Sequence, residues 1–156
     1  MGTHHRGRAA QVRALNAYIK LMRAADSVQA PLERRLEALG LTEGQFGVLE
    51  ILFHLGPRTA GELGRKSFRS AGNVTTVLDN LERRGLVKRV RSAEDRRSVI
   101  VSLTPAGTRE VERVLPGHIA AIVEAFRVLS AGEQADLDRL LRKLGLGQER
   151  NRTKGG

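Results

Sequence analysis

Residues 70–103 read SAGNVTTVLDNLERRGLVKRVRSAEDRRSVIVSL, and this stretch decides the fold. Val74, Val77, Leu78 and Leu81 fall at i, i+3, i+4 and i+7, the apolar stripe of an amphipathic helix. Ser70 suits the N-cap, because its hydroxyl can accept a backbone N–H that a helix start leaves unpaired. Gly85 suits the left-handed position past the last turn. Opposite the stripe lie Gly72, Thr76, Asp79 and Arg83, flanked by Asn73, Thr75 and Asn80. That face is short, polar and rich in hydrogen-bonding groups.

A hairpin follows at once. Residues 86–90 form one strand and 98–103 the other, with Val99, Val101 and Leu103 on one face and Ser98, Ile100 and Ser102 on the opposite one. Between them, RSAEDRR (91–97) is a polar loop with three arginines. A helix of this kind fits the DNA major groove, and a thin basic hairpin reaches phosphates or the adjacent minor groove. The same pattern also describes a surface helix beside an ordinary hairpin.

Charge distribution favours the first reading. The formal net charge is +10, yet residues 57–104 hold eleven Lys/Arg against five Asp/Glu, a net of +6. Residues 14–56 come to −1 and 105–146 to 0, while 1–13 and 147–156 add +3 and +2. Charge concentrated on one segment attracts a polyanion and makes its binding salt-sensitive. The absence of cysteine excludes a disulfide framework, a thiol redox sensor and a Cys-ligated zinc site. No apolar run approaches the roughly 18 residues of a membrane span, so no membrane contact and a cytoplasmic location are expected. The aromatics are Tyr18, Phe46, Phe53, Phe68 and Phe126, few for a reader of single strands that stacks bases.

The flanks frame this centre. Residues 1–8 read as a disordered basic end. Residues 9–39 carry a helical seam of Val12, Leu15, Ile19, Met22 and Ala25, then Leu32, Leu36 and Leu39, with Pro31 predicting a kink or break near Gln29–Ala30. Thr42-Glu43-Gly44-Gln45 is a capping box that opens a helix ended by Gly56-Pro57. Thr59-Ala60-Gly61-Glu62 is a second box, opening a short helix to about Lys66. Thr104 as N-cap and Pro105 at N1 start a helix to about Leu129, with Pro116 inside. Ser130-Ala131-Gly132-Glu133 opens a last helix with Leu137, Leu140, Leu141 and Leu144, closed by Gly145, before a disordered tail over 147–156. The expected fold is mainly α with a small β-hairpin wing: a winged helix-turn-helix over 40–104 between helices at 9–39 and 105–146.

Three segments carry a family resemblance: LTEGQFGVLEILFHLGP (41–57), SAGNVTTVLDNLERRGLVKR (70–89) and DRRSVIVSLTPAG (95–107). In the last, Arg97 stands two after Asp95, and Leu103-Thr104 follows five intervening residues. The chain resembles the multiple antibiotic resistance regulator (MarR) family of bacterial transcription factors over residues 12–144. The resemblance implies a homodimer built from the first and last helices, with two winged helices on a palindromic operator in double-stranded DNA. It makes Asp95 the residue that orients the wing loop, with Arg97 or Arg96 entering the minor groove. A narrow minor groove has enhanced negative potential, which attracts an arginine.

The helix starting at Ser70 becomes the recognition helix. Asn73, Thr75, Thr76 and Asn80 are base-edge candidates, because Asn can pair bidentately with adenine and a Thr methyl suits thymine. Arg69, Arg83, Lys88 and Arg89 are candidate phosphate contacts; for Arg83 and Arg84 the alternative is a cationic helix C-terminus favoured by the dipole. The resemblance also implies a small effector, aromatic or phenolic, bound between dimerisation helices and winged helix, with Tyr18, Phe46, Phe53 and His54 as its lining. The alternative makes Phe46 and Phe53 core and His54 a partly exposed helix residue. His54, His118 and Glu124 lack a metal-ligand spacing, and no catalytic set or phosphate-binding Gly loop is visible. No metal, no cofactor and no enzymatic activity are expected. The competing function is a general nucleic-acid-binding protein, nucleoid or RNA-binding, without ligand response.

Overall fold

The computed structural model describes residues 3–66, 74–92 and 98–153. The chain forms two compact units, Met1–Ile119 and Ala120–Gly156. In the first, α1 (Ala9–Ala38) is followed by α2 (Glu43–Leu55), β1 (Arg58–Thr59), α3 (Ala60–Lys66), α4 (Val74–Arg83), β2 (Val87–Arg91) and β3 (Val99–Leu103). Helix α5 (Pro105–Phe126) begins in the first unit and ends in the second, which also holds α6 (Ala131–Thr153). Among the described residues no single helix is long and apolar enough to cross a membrane.

Local chemistry sets most element ends. The capping box of α2 is formed: the Gln45 N–H donates to Thr42 Oγ1 at 3.2 Å and the Thr42 N–H to Gln45 Oε1 at 3.1 Å. Glu62 caps α3 through the Thr59 N–H (2.8 Å) and hydroxyl (2.9 Å), and these bonds hold its carboxyl below the usual carboxylate range. Ser130 and Glu133 repeat the arrangement at α6. Two helices end in the same left-handed glycine motif. Gly40 has φ 78° and Gly85 φ 70°, and the next residues, Leu41 and Leu86, donate back to Leu36 and Leu81.

Three expectations about boundaries differ from what is seen. Pro31 does not break α1, which runs unbroken through it; a proline removes one intrahelical N–H, and its neighbours keep theirs. Helix α5 ends at Phe126 rather than Leu129. Gly145 does not close α6, which continues to Thr153; it has no positive φ, so it is an interior helical glycine rather than a cap. The expected hairpin is present as β2 and β3, and β1 adds to β3 to give a three-stranded antiparallel sheet of order β1-β3-β2.

The core of the first unit gathers Leu36, Leu41, Phe46, Leu49, Leu52, Leu63, Leu78, Leu81, Val87, Val101, Val111 and Val114. Leu78 and Leu81 come from the apolar stripe of α4, and Val74 and Val77 pack against them half-buried. The end of α4, the sheet and α5 meet at one point. The Thr104 N–H donates to the Leu86 carbonyl (3.1 Å) and its hydroxyl to the Gly85 carbonyl (2.6 Å). That hydroxyl also caps α5 by accepting the Gly107 N–H at 3.0 Å. Gly107 is buried, and a Cβ there would stand 2.0 Å from the Leu86 carbonyl oxygen. Only glycine permits this approach.

Candidate nucleic-acid interface

Helix α4 presents Thr76 and Arg83 to solvent opposite its buried leucines, with Thr75 exposed on the flank. These three stand where the sequence placed them, and Arg83 has no ion pair among the described residues. Six predicted site residues, Arg69, Ser70, Asn73, Asp95, Arg96 and Arg97, lie outside the described residues.

Arg89 differs from its expected role as a phosphate contact. Its guanidinium reaches Asp79 Oδ1 at 2.6 Å and Glu82 Oε2 at 2.5 Å, and its backbone N–H donates to Glu82 Oε1 at 3.3 Å. The Arg89 side chain is only 28% exposed. One arginine on β2 thus grips two carboxylates one helical turn apart on α4. Hydrogen bonding to the charged forms lowers the Glu82 pKa and raises that of Arg89. The clamp ties β2 to α4 and cancels one of two negative charges on the helix face.

Asn80 also differs. It is half-buried, and its Oδ1 accepts the Gln45 amide at 2.9 Å. Gln45 Oε1 caps α2 and accepts from Arg84, whose Nη1 also donates to the Gly40 carbonyl at 2.9 Å. The capping glutamine of α2 therefore fixes the angle of α4, and Asn80 is a positioning residue. Replacing Asn80 with Ala is expected to cost about 1 kcal/mol of stability and to leave the selected DNA motif unchanged. Urea unfolding and selection from random duplexes check this; lost preference at one base position would restore a reading role.

Strand alternation moves Lys88. Val87, Arg89 and Arg91 share the sheet face that meets α4, opposite Leu103, Val101 and Val99, while Lys88 and Val90 point to the other side. Lys88 therefore stands off the α4 side of the sheet. Arg91, which the sequence reading counted only as a loop arginine, is exposed on the α4 side with no ion pair among the described residues. Its signal was the period of two running from Val87.

Of the expected effector lining, Phe46 is 2% exposed and belongs to the core, edge-on to His118 with ring centroids 4.9 Å apart. Phe53 is half-buried with its ring edge-on to exposed His54, and Tyr18 is exposed on α1. The core reading holds for Phe46.

A model of the MarR family matches residues 41–99. The HTH-type transcriptional regulator YkoM of Bacillus subtilis (strain 168) is 37% identical over 134 residues, covering 86% of this chain and 87% of its own. A solved mutant of MarR from E. coli, complexed with operator DNA, superposes with a TM-score of 0.69 at 32% identity, covering 83% of this chain and 96% of its own. AbsC, a MarR family regulator from Streptomyces coelicolor, has the same fold, with a TM-score of 0.81 at 21% identity over 93% of this chain and 99% of its own. With a polar helix clamped to a basic wing and a third strand bracing that wing, the chain belongs to the MarR family and is a winged-helix transcriptional regulator.

Proposed function

We propose that the protein is a homodimeric repressor of the cytoplasm that binds a palindromic operator in double-stranded DNA and is released by a small phenolic or quinone-like ligand. The Arg89 clamp carries the reading: it makes α4 and the wing one body, with Thr76 free to meet base edges. The excess of positive charge over residues 57–104 surrounds that body. By the family resemblance, Asn73 joins Thr76 at the bases, Ser70 caps the helix, and Arg69 and Arg83 hold phosphates. Asp95 orients the wing tip, and Arg97 or Arg96 enters the minor groove.

Dimerisation is supported by apolar side chains left in solvent. Tyr18 and Met22 on α1 are 60% and 40% exposed, and on α6 Leu140, Leu141 and Leu144 are uncovered. Exposed apolar stripes of this kind seek a partner surface, and a second copy supplies one. Release by ligand rests on family precedent; Tyr18 and His54 keep the accessible surface it needs.

Selection of bound fragments from random duplex DNA tests the proposal. A palindromic motif should emerge, and Arg97→Ala should weaken binding to it without unfolding the protein. Phenols and quinones should then release the bound fragment. Equal binding to every duplex, or a preference for structured RNA, contradicts the reading in favour of a general nucleic-acid-binding protein.

A further inference from the structure

We infer that Arg91 and Thr75 form a subsite for one backbone phosphate of duplex DNA, in the cleft between the wing sheet and the recognition helix. The inference rests on the DNA-binding reading above and assigns to it a residue outside the family's wing signature. The cleft, about 370 Å³, is lined by Thr75, Leu78 and Glu82 of α4 and by Arg89 and Arg91 of β2. Leu78 is buried, while Thr75 and Arg91 are exposed. The two exposed groups are both donors: a hydroxyl on one wall and a guanidinium on the other.

Pairing decides which cation is left to bind. Asp79 and Glu82 contribute two negative charges, and Arg89, bonded to both, cancels one. Arg91 has no ion pair among the described residues and brings these four groups to net zero, so without it they would turn a net negative charge toward DNA. Arg89 is committed to its carboxylates, so Arg91 is the cation of this cleft with its fork of donors open. A guanidinium fork suits two oxygens of one phosphate, and a threonine hydroxyl can donate to a third. Lys88 provides an internal comparison. It is exposed on the same strand, three residues away, and on the opposite sheet face.

The test is a salt titration of binding to a selected operator duplex, using the full chain as wild type, Arg91→Ala, Arg91→Lys, Thr75→Val and Lys88→Ala. A lost phosphate contact lowers the slope of log affinity against log salt by about 0.9, counted once for each protomer on the DNA. Arg91→Ala should show that drop and should weaken operator and random duplex equally, because a phosphate carries no sequence. Arg91→Lys should keep the slope and lose part of the affinity. Thr75→Val should weaken both duplexes with the slope unchanged. Lys88→Ala should leave slope and affinity near wild type. Equal effects of Arg91→Ala and Lys88→Ala overturn the inference, as does a loss confined to the operator. A wild-type protein that binds no duplex overturns the DNA-binding reading as well, so the two failures are distinct.

Discussion

Arg89→Ala is expected to lower operator affinity by on the order of a hundredfold while leaving the fold in place. The substitution does two things together. It unfastens β2 from α4, so the wing loses its fixed position beside the recognition helix. It also leaves Asp79 and Glu82 uncompensated on the face turned to DNA, and like charges brought together across an interface cost several kcal/mol. Stability should fall by no more than about 1 kcal/mol, because all three side chains are partly exposed and solvent screens the pairs. Binding titrations beside urea unfolding separate these effects. If Arg89→Ala bound the operator as wild type does, the clamp would have no part in DNA recognition. Asp79→Asn combined with Glu82→Gln, which removes the clamp and its negative charges together, should recover part of the loss.

Gly107→Ala should have the largest effect on folding, a loss of about 3 kcal/mol. The new Cβ would lie 2.0 Å from the Leu86 carbonyl oxygen and 3.0 Å from Leu103 Cδ2. Neither neighbour is a flexible side-chain end that can swing away: one is backbone and the other packs against the core. Separation of α5 from Leu86 would also strain the Thr104 bonds that join α5 to the end of α4. Gly47→Ala on α2 is the matched control. Its added Cβ meets nothing within 4 Å, so it should stabilise by up to about 1 kcal/mol. Urea unfolding at one protomer concentration compares them. Equal midpoints for Gly107→Ala and wild type would mean that α5 slides without cost, and the meeting point would not be rigid.

The parts legible in the sequence were those written by local chemistry. The stripe Val74, Val77, Leu78 and Leu81 gave α4 its buried face, and paired cap residues at Thr42/Gln45, Thr59/Glu62 and Ser130/Glu133 placed three helix starts. Gly85 marked the end of α4 as its left-handed backbone requires. What stayed hidden depended on distant partners. Arg89 looked like any other exposed cation, because its carboxylates lie across a turn on another element. Asn80 looked like a reader of adenine until Gln45, 35 residues earlier, engaged its oxygen. Strand β1 has only two residues, too few to show alternation. Gly145 and Pro31 were read by rules for helix ends and breaks, but both are tolerated inside long helices whose remaining hydrogen bonds hold.

On the proposed reading, a recognition helix and wing locked together by Arg89 meet DNA in two copies. Hydroxyl-radical footprinting of the full chain on a selected operator tests it most directly. The account predicts a two-fold symmetric footprint, with half-sites about one helical turn or a multiple of it apart and minor-groove protection where each wing tip lies. A single asymmetric patch, or protection that spreads evenly along any duplex, would contradict it.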